Sequence, residues 1–591
     1  MGSSAARGLK LAARAALALL ALALPFELVE PLARLGPLQL TSTELFLYLA
    51  LALSAAAIAL EVLPGWKRLP WRDIAMRHGA VALFAIVLLL SAARAPLGRP
   101  EAIKFALRNL GGIALYVAAA NLLRAPAAAL TTTVAVTIGA VVAASIMWAE
   151  LHVPAAAAAL RPFHPRAFDV FGLPRASGPF QYPNIAAMYL EAALPVALAA
   201  GAGLDALRRP RSRPGASVPT LAALAALAAL LIVYALALTA SRAAMLTAVV
   251  VLVGLGVHAI VRKATARWQA PAVLAVLGLV TVANAAVGSL SSLRLKFWND
   301  EVWYRSAIVP AGDLPGAMLP AGVTTIDVHV RNSGARPWPA AGPQPIALSY
   351  HWRDEATGRM VVFDGDRTPL PHDIAPGAEI RLSAAIRAPA QPGRYRLHLE
   401  LVHEGITWFG EQGDAGYDAM VEVSAQAAPS ARRPAPSAAP APIAAAPPER
   451  VSRTMLWRAA VRAWREHPLL GLGPDNFRHA YHRYLGLKSP DERLHANNFY
   501  FETLASLGSA GIVALGLVIA GFVASARRAL RQHGATSVAG LVAAAAAAGL
   551  GAYFVHGFFD YFLEFTPTYA LLWLLAGMLA ALASDPVRTV P

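Results

Sequence analysis

The sequence predicts an α-helical membrane protein of many spans, with an all-β domain inserted into one of its loops. Three observations predict this. Of 591 residues, 57% are hydrophobic and only 15% charged, too apolar for a soluble chain of this length. The apolar residues gather into runs of about 20, the length a helix needs to cross the hydrocarbon core of a bilayer. One stretch, 323–425, breaks that pattern and alternates apolar with polar residues instead. Composition also bounds the chemistry. A net charge of +16 raises nucleic acid as a partner, but Lys and Arg fall in short clusters between apolar runs, as in cytoplasmic membrane loops, which argues against it. With no cysteine in the chain, disulfides, thiolate metal sites and cysteine nucleophiles are excluded.

Twelve runs qualify as spans, near 9–29, 40–63, 78–93, 105–123, 127–149, 184–203, 217–240, 243–261, 269–290, 497–524, 535–556 and 567–584. The first also reads as a signal peptide, with a basic start and Ala21-Leu22-Ala23 as a cleavage site. Retention as a span is the favoured expectation, and either outcome leaves the downstream orientation unchanged. Placing the N-terminus in the cytoplasm puts nineteen Lys and Arg inside, in clusters such as Lys67, Arg68, Arg72, Arg77 and Arg208, Arg209, Arg211, Arg213. The short outside segments hold nine. By the positive-inside rule both termini are cytoplasmic and residues 291–496 lie outside.

That outside segment has three parts. Residues 310–425 read as a domain, with period-two patterns at Ile326, Val328, Val330; Ile346, Leu348, Tyr350, Trp352; Ile380, Leu382, Ala384, Ile386; and Tyr395, Leu397, Leu399, Leu401. About seven short strands between Gly, Pro and Asp turns predict an immunoglobulin-like sandwich. Trp338 and Trp408 are either core or exposed rings able to stack on sugars. Residues 426–448 are Pro/Ala-rich and predict an extended linker. Residues 449–496 begin with an amphipathic pattern (Met455, Leu456, Trp457, Ala460, Val461, Trp464) that predicts a helix at the membrane surface. The remaining parts, 1–300 and 497–591, hold the spans.

Cations on the outer face are the informative residues. Arg242, in Thr239-Ala240-Ser241-Arg242, sits in a turn between two spans; it is either a functional group facing a cavity or anion, or an interfacial side chain that snorkels. Arg175, in LPRASGPFQYPN, precedes another span that begins at Asn184, and Gly178 and Pro179 let the backbone bend close to a ligand. Two outside arginines near membrane depth suit a lipid-linked pyrophosphate, because guanidinium binds phosphate oxygens bidentately. Arg94, Arg99 and Lys104 extend this patch or anchor the interface. A third element, GLGPDNFRHAYHRYL followed by LHANNFYFE and Gly508-Ser509-Ala510-Gly511, places His495, Asn497 and Asn498 at the outer end of the tenth span. A histidine there is able to take a proton from a sugar hydroxyl, or is simply structural.

Together, LPRASGPFQYPN, LTASRAA and HPLLGLGPDNF…HANNFYFETLASLGSAG, in this order on twelve spans, resemble the O-antigen ligase family of the ligase and polymerase superfamily. The resemblance covers essentially all of the membrane part; the inserted sandwich is not in the usual family core. It implies a metal-independent, inverting glycosyltransferase without cofactor in the bacterial inner membrane. Such an enzyme moves a glycan from undecaprenyl pyrophosphate, on the periplasmic face, to a hydroxyl of a glycan, lipid or protein acceptor. Carried over, Arg175 and Arg242 hold the pyrophosphate and offset charge on the leaving group. One departure stands out. The family's histidine position, set by its spacing to Gly508, falls here on Asn497, and an amide is no general base. Either His495 substitutes, two residues upstream on the same side of an extended segment, or Asn497 positions the acceptor and a carboxylate (Glu502 or Asp560) takes the proton.

Two other classes compete. A transporter would use the arginines for substrate, but no internal repeat of spans and no broken pair in matching halves is visible. A scaffold would act through the sandwich, with a degenerate membrane part; Asn497 is the residue in its favour. Loss of glycan transfer on Arg242→Ala separates the enzyme from both.

Overall fold

The computed structural model describes residues 2–35, 38–63, 71–164, 168–170, 173–208, 220–261, 278, 304–334, 337–342, 345–404, 407–410, 414–425, 451, 453–487 and 490–584. Contacts divide the chain into two units. One is mostly helical (Met1–Leu295, Trp464–Phe477 and Ala496–Pro591); the other is built on strands (Lys296–Ala463 and Arg478–His495).

The helical unit contains α1 (Gly2–Ala23), α2 (Ser42–Val62), α3 (Trp71–Ala93), α4 (Arg99–Leu122), α5 (Pro126–His152), the short α6 (Pro154–Ala159), α7 (Pro183–Arg208), α8 (Thr220–Leu238) and α9 (Arg242–Val261). Among the described residues, seven helices are long and apolar enough to cross a membrane: α2, α3, α4, α5, α7 and two C-terminal helices, Phe499–Gln532 and Val538–His556. Shorter apolar helices lie in α8, α9 and at Thr566–Leu582. Helices thus occur at eleven of the twelve expected spans, and 269–290, apart from residue 278, falls outside the described residues.

Helix starts follow local chemistry. Thr41 and Glu44 form a capping box on α2, and Pro sits in the first turn of α4 and α5. Small residues let helices close in. Gly577 lies against α4, where a Cβ would come within 2.6 Å of the Tyr116 carbonyl oxygen. Of the seven long apolar helices the most enclosed is α7, which packs on α5, α8, α9 and Val538–His556. Leu49, Leu60, Ile86, Leu90 and Val253 are exposed on the outside of the unit, as lipid-facing side chains would be.

In the strand unit, two antiparallel layers share one core. The first runs in the order Glu379–Arg387, Val323–Asn332, Ser306–Pro310. The second runs in the order Thr368–Pro369, Ile346–Asp354, Gly393–His403, Tyr417–Val423, Ala317–Met318. In the second, the pair Tyr417–Val423 and Ala317–Met318 is parallel. Val328 and Val330 face Leu348, Tyr350, Leu397 and Leu399 in the core, matching the period-two pattern. The strands begin at Ser306, ahead of the expected start at 310. Trp338 and Trp408 are both buried, so the core reading holds for each. Trp338 packs edge-on against Phe409 at 5.4 Å, and the Arg367 guanidinium lies 4.9 Å over Trp408.

The expected surface helix after the linker is two helices, α10 (Arg453–Glu466) and α11 (Phe477–Leu485), parted by a loop. Pro468, Gly471, Gly473 and Pro474 cause the break, since neither residue type sustains helix and both glycines adopt positive φ, 68° and 97°. That loop has a task in the helical unit. The helix α12 (Phe499–Gln532) is interrupted at Gly508 (φ 65°, ψ −162°), which leaves backbone groups without helical partners. The loop supplies them. Leu472 and Gly473 donate to the carbonyls of Ala505 and Ser506 (2.9 and 3.0 Å), while Ser509 and Ala510 donate to those of Pro468 and Leu469 (2.8 and 3.1 Å). Ser91 of α3 adds hydroxyl bonds to the carbonyls of Leu470 (2.6 Å) and Ser506 (3.0 Å).

Candidate functional site

The site grows from three turns at one end of the helical unit. In the first, Leu173–Arg175 pairs with Phe168–Val170, and the chain then turns through Gly178 (φ 57°) into α7. A Cβ on Gly178 would come within 2.5 Å of Met147 Cγ, so both the angle and the space demand glycine. The buried Glu150 carboxylate fixes this turn by accepting from the amides of Ser177 (2.9 Å) and Gly178 (2.6 Å); His164 lies 3.5 Å away.

The second turn joins α8 to α9. Thr239 Oγ1 donates back to Leu236 (2.6 Å) and accepts from the Ser241 amide (3.2 Å). The first residue of α9 is Arg242, whose side chain is exposed. The two turns are tied together. The Ala176 amide donates to the Leu238 carbonyl (2.9 Å), and Arg175 Nε donates to the Thr239 carbonyl (2.7 Å). Arg175 is therefore braced on the turn that carries Arg242.

The third turn, 557–561, follows α13 (Val538–His556) and precedes α14 (Thr566–Leu582). Arg175 Nη2 donates to Asn184 Oδ1 (2.7 Å), and Asn184 Nδ2 donates to Asp560 Oδ2 (3.0 Å). Seven residues further along α7, on the same face, the fully buried Glu191 meets His556, whose Nδ1 lies 2.9 and 3.0 Å from its carboxylate oxygens. The 557–561 turn also receives the start of α12. Phe499 donates its amide to the Gly557 carbonyl (2.7 Å), and Asn498 Nδ2 donates to the Phe558 carbonyl (2.9 Å).

The structure thus gathers Arg175, Asn184 and the Arg242 turn with Asn498 and Asp560. Asn498 is the N-cap of α12, accepting from the Tyr500 and Phe501 amides at 3.0 Å. Asn497 has φ 46°, a left-handed angle that Asn tolerates better than most residues. The buried Glu502 accepts from the Ala496 amide (2.8 Å) and the Ser506 hydroxyl (3.0 Å). His495 is buried and closes the last segment of the strand unit. Arg94, Arg99 and Lys104 are exposed near the junction of α3 and α4, on different elements from Arg175 and Asn184.

Sequence reasoning missed some of the acids. Those missed are Glu150 and Glu191, together with His556, whereas Glu502 and Asp560 are named from the sequence; an ionisable residue within an apolar run is a signal in itself. It also missed a buried cluster on α4, where Arg108 meets Glu44 (3.1 Å) and Glu27 (3.8 Å) and donates to the Glu564 carbonyl (2.8 Å). Among the described residues, no group of three or more His, Asp or Glu comes together to hold a metal ion.

Fold and site define a multi-pass membrane protein with a separate β-sheet unit. Residues 413–516, which include the loop 468–473, the HANN segment and Gly508, match the family model described as O-Antigen ligase. Over those residues the chain is similar to O-antigen ligases. No curated protein matches it. Among solved structures, alkylpurine DNA glycosylase AlkC of Pseudomonas fluorescens, bound to DNA with an abasic site analogue, aligns at 10% identity over 58% of this chain and 96% of that one. The TM-score of 0.15 carries no argument.

Proposed function

We propose that the chain transfers a glycan from undecaprenyl pyrophosphate to an acceptor hydroxyl at the periplasmic face of the bacterial inner membrane, by a metal-independent, inverting displacement. Both termini are cytoplasmic, and the strand unit, an immunoglobulin-like sandwich, lies in the periplasm. The observation that carries this reading is the bond from Arg175 to the Thr239 carbonyl, which braces one outer arginine on the turn of the other. Two guanidinium groups at one locus suit a pyrophosphate, whose leaving charge needs fixed cations in a site of low dielectric. Polymerisation of the glycan is the alternative within the same superfamily, because the same site chemistry serves both reactions. The scaffold reading rests on Asn497, which stands where the family expects histidine.

The test is transfer in liposomes from an undecaprenyl-pyrophosphate glycan to a panel of acceptors. Arg242→Ala and Arg175→Ala are each expected to lower kcat by about 10²-fold, the usual cost of losing one charge-stabilising donor. A parent protein that binds the donor but forms no product with any acceptor would leave the scaffold.

A further inference from the structure

Within the transfer reading, on which this assignment rests, the geometry points to Asp560 as the general base that replaces the missing histidine at position 497. Among the described residues, Glu150, Glu191, Glu502 and Asp560 stand near the three turns, and the first three have buried side chains. Glu150 accepts from two successive amides of the Arg175 turn. Glu502 accepts from the Ala496 amide and the Ser506 hydroxyl, and is 1% exposed. Glu191 is fully buried against His556. Asp560 is half-buried, lies in the turn 557–561 outside the helices, and is joined to Arg175 through one intervening amide.

The surroundings hold Asp560 in place. Tyr561 donates its amide to Oδ1 (2.8 Å) and Asn184 donates to Oδ2 (3.0 Å). One helical turn back, the Glu191–His556 pair pins the same segment to α7. The two contacts form a ladder, because residues 184 and 191 share a face of α7 and 556 and 560 are four apart. Asn184 thus links the Asp560 carboxylate to the Arg175 guanidinium through one side-chain amide. Among the described residues, the Asp560 charge acts on Glu191, which His556 holds, and Arg175 lies across Asn184. Glu191, His556 and Asn184 are positioning residues; Asp560 is catalytic.

The step balances. The acceptor oxygen bonds to the anomeric carbon as the bond from that carbon to the pyrophosphate oxygen breaks. The electron pair leaves on the lipid pyrophosphate, and the hydroxyl proton passes to the Asp560 carboxylate.

The experiment measures kcat and donor KM against pH for the full chain in liposomes, with an undecaprenyl-pyrophosphate glycan and an acceptor the parent uses. Asp560→Asn preserves shape and an acceptor oxygen for Asn184. It is expected to lower kcat by about 10² to 10⁴-fold, the usual contribution of a general base, with donor KM within about threefold. The acid limb of the parent profile is expected to vanish in Asp560→Asn and to survive in His495→Ala. A kcat for Asp560→Asn within about tenfold of the parent overturns the assignment. Should that variant not accumulate in membranes, the His495→Ala profile decides: a surviving acid limb supports Asp560, and a lost one overturns it. Glu191→Gln is expected to move the acid limb, which a merely structural contact would leave in place. A parent that forms no product with any acceptor removes the transfer reading and this assignment together; a fully active Asp560→Asn removes the assignment alone.

Discussion

At the residue scale, the site depends on a few positions with no freedom. Gly178 is one, at positive φ and against Met147. Gly178→Ala is expected to cost about 1–3 kcal/mol, the range for strained backbone at such angles, and to weaken transfer by loosening Arg175. Thermal inactivation in detergent measures the first effect and the liposome assay the second; an unchanged melting temperature would show that the turn tolerates a Cβ. Arg175, Asn184 and Arg242 were legible in the sequence because cations and amides stand out against apolar runs. Their partners were not, for a physical reason. A carboxylate that accepts two amides or one imidazole acts through contacts made between distant segments, and spacing along the chain carries no trace of Glu191 beside His556 or of Asn184 beside Asp560. Asn498 shows the converse. Its place in HANN was visible, but that its amide caps α12 and bonds Phe558 was not.

At the scale of elements, the apolar helices were easily read and their interruptions were not. Hydropathy averages over a window, so the change of angle at Gly508 vanishes inside a run that is apolar on both sides. Gly508→Ala puts a Cβ within 2.5 Å of Leu469 backbone atoms while keeping φ positive. A loss of about 3 kcal/mol or more is expected, because backbone strain and displacement of the 468–473 loop act together. A melting temperature within a degree or two of the parent would mean that the loop and the helix break are independent. The strands were read by alternation, which assumes one dry face. The strand Ile346–Asp354 departs from this, being buried on both faces over Ile346–Trp352. Its second face carries His351, 2.6 Å from Glu400, whose other oxygen accepts from Gly410 (2.6 Å). Polar residues at alternate positions had suggested solvent; they are a hydrogen-bonded inner layer beside Phe363 and Trp408.

At the scale of the whole molecule, two units with separate cores share one chain. Their presence was legible because their periodicities differ, about 3.6 and 2 residues. The strand unit is expected to fold when residues 304–425 are expressed alone, since its main core draws on those residues. Circular dichroism would show sheet and a single cooperative melt; a broad, featureless transition would mean that Met455 and Leu487, which pack on Phe363 and Trp408, are needed as well. The order of segments adds a consequence for biogenesis. The 468–473 loop leaves the ribosome before the helix it completes, so that when Gly508 reaches the translocon its hydrogen-bonding partners already exist. A break in a lipid-embedded helix, otherwise a hazard during insertion, can then be closed as it is made, and the timing is written into the order of the chain.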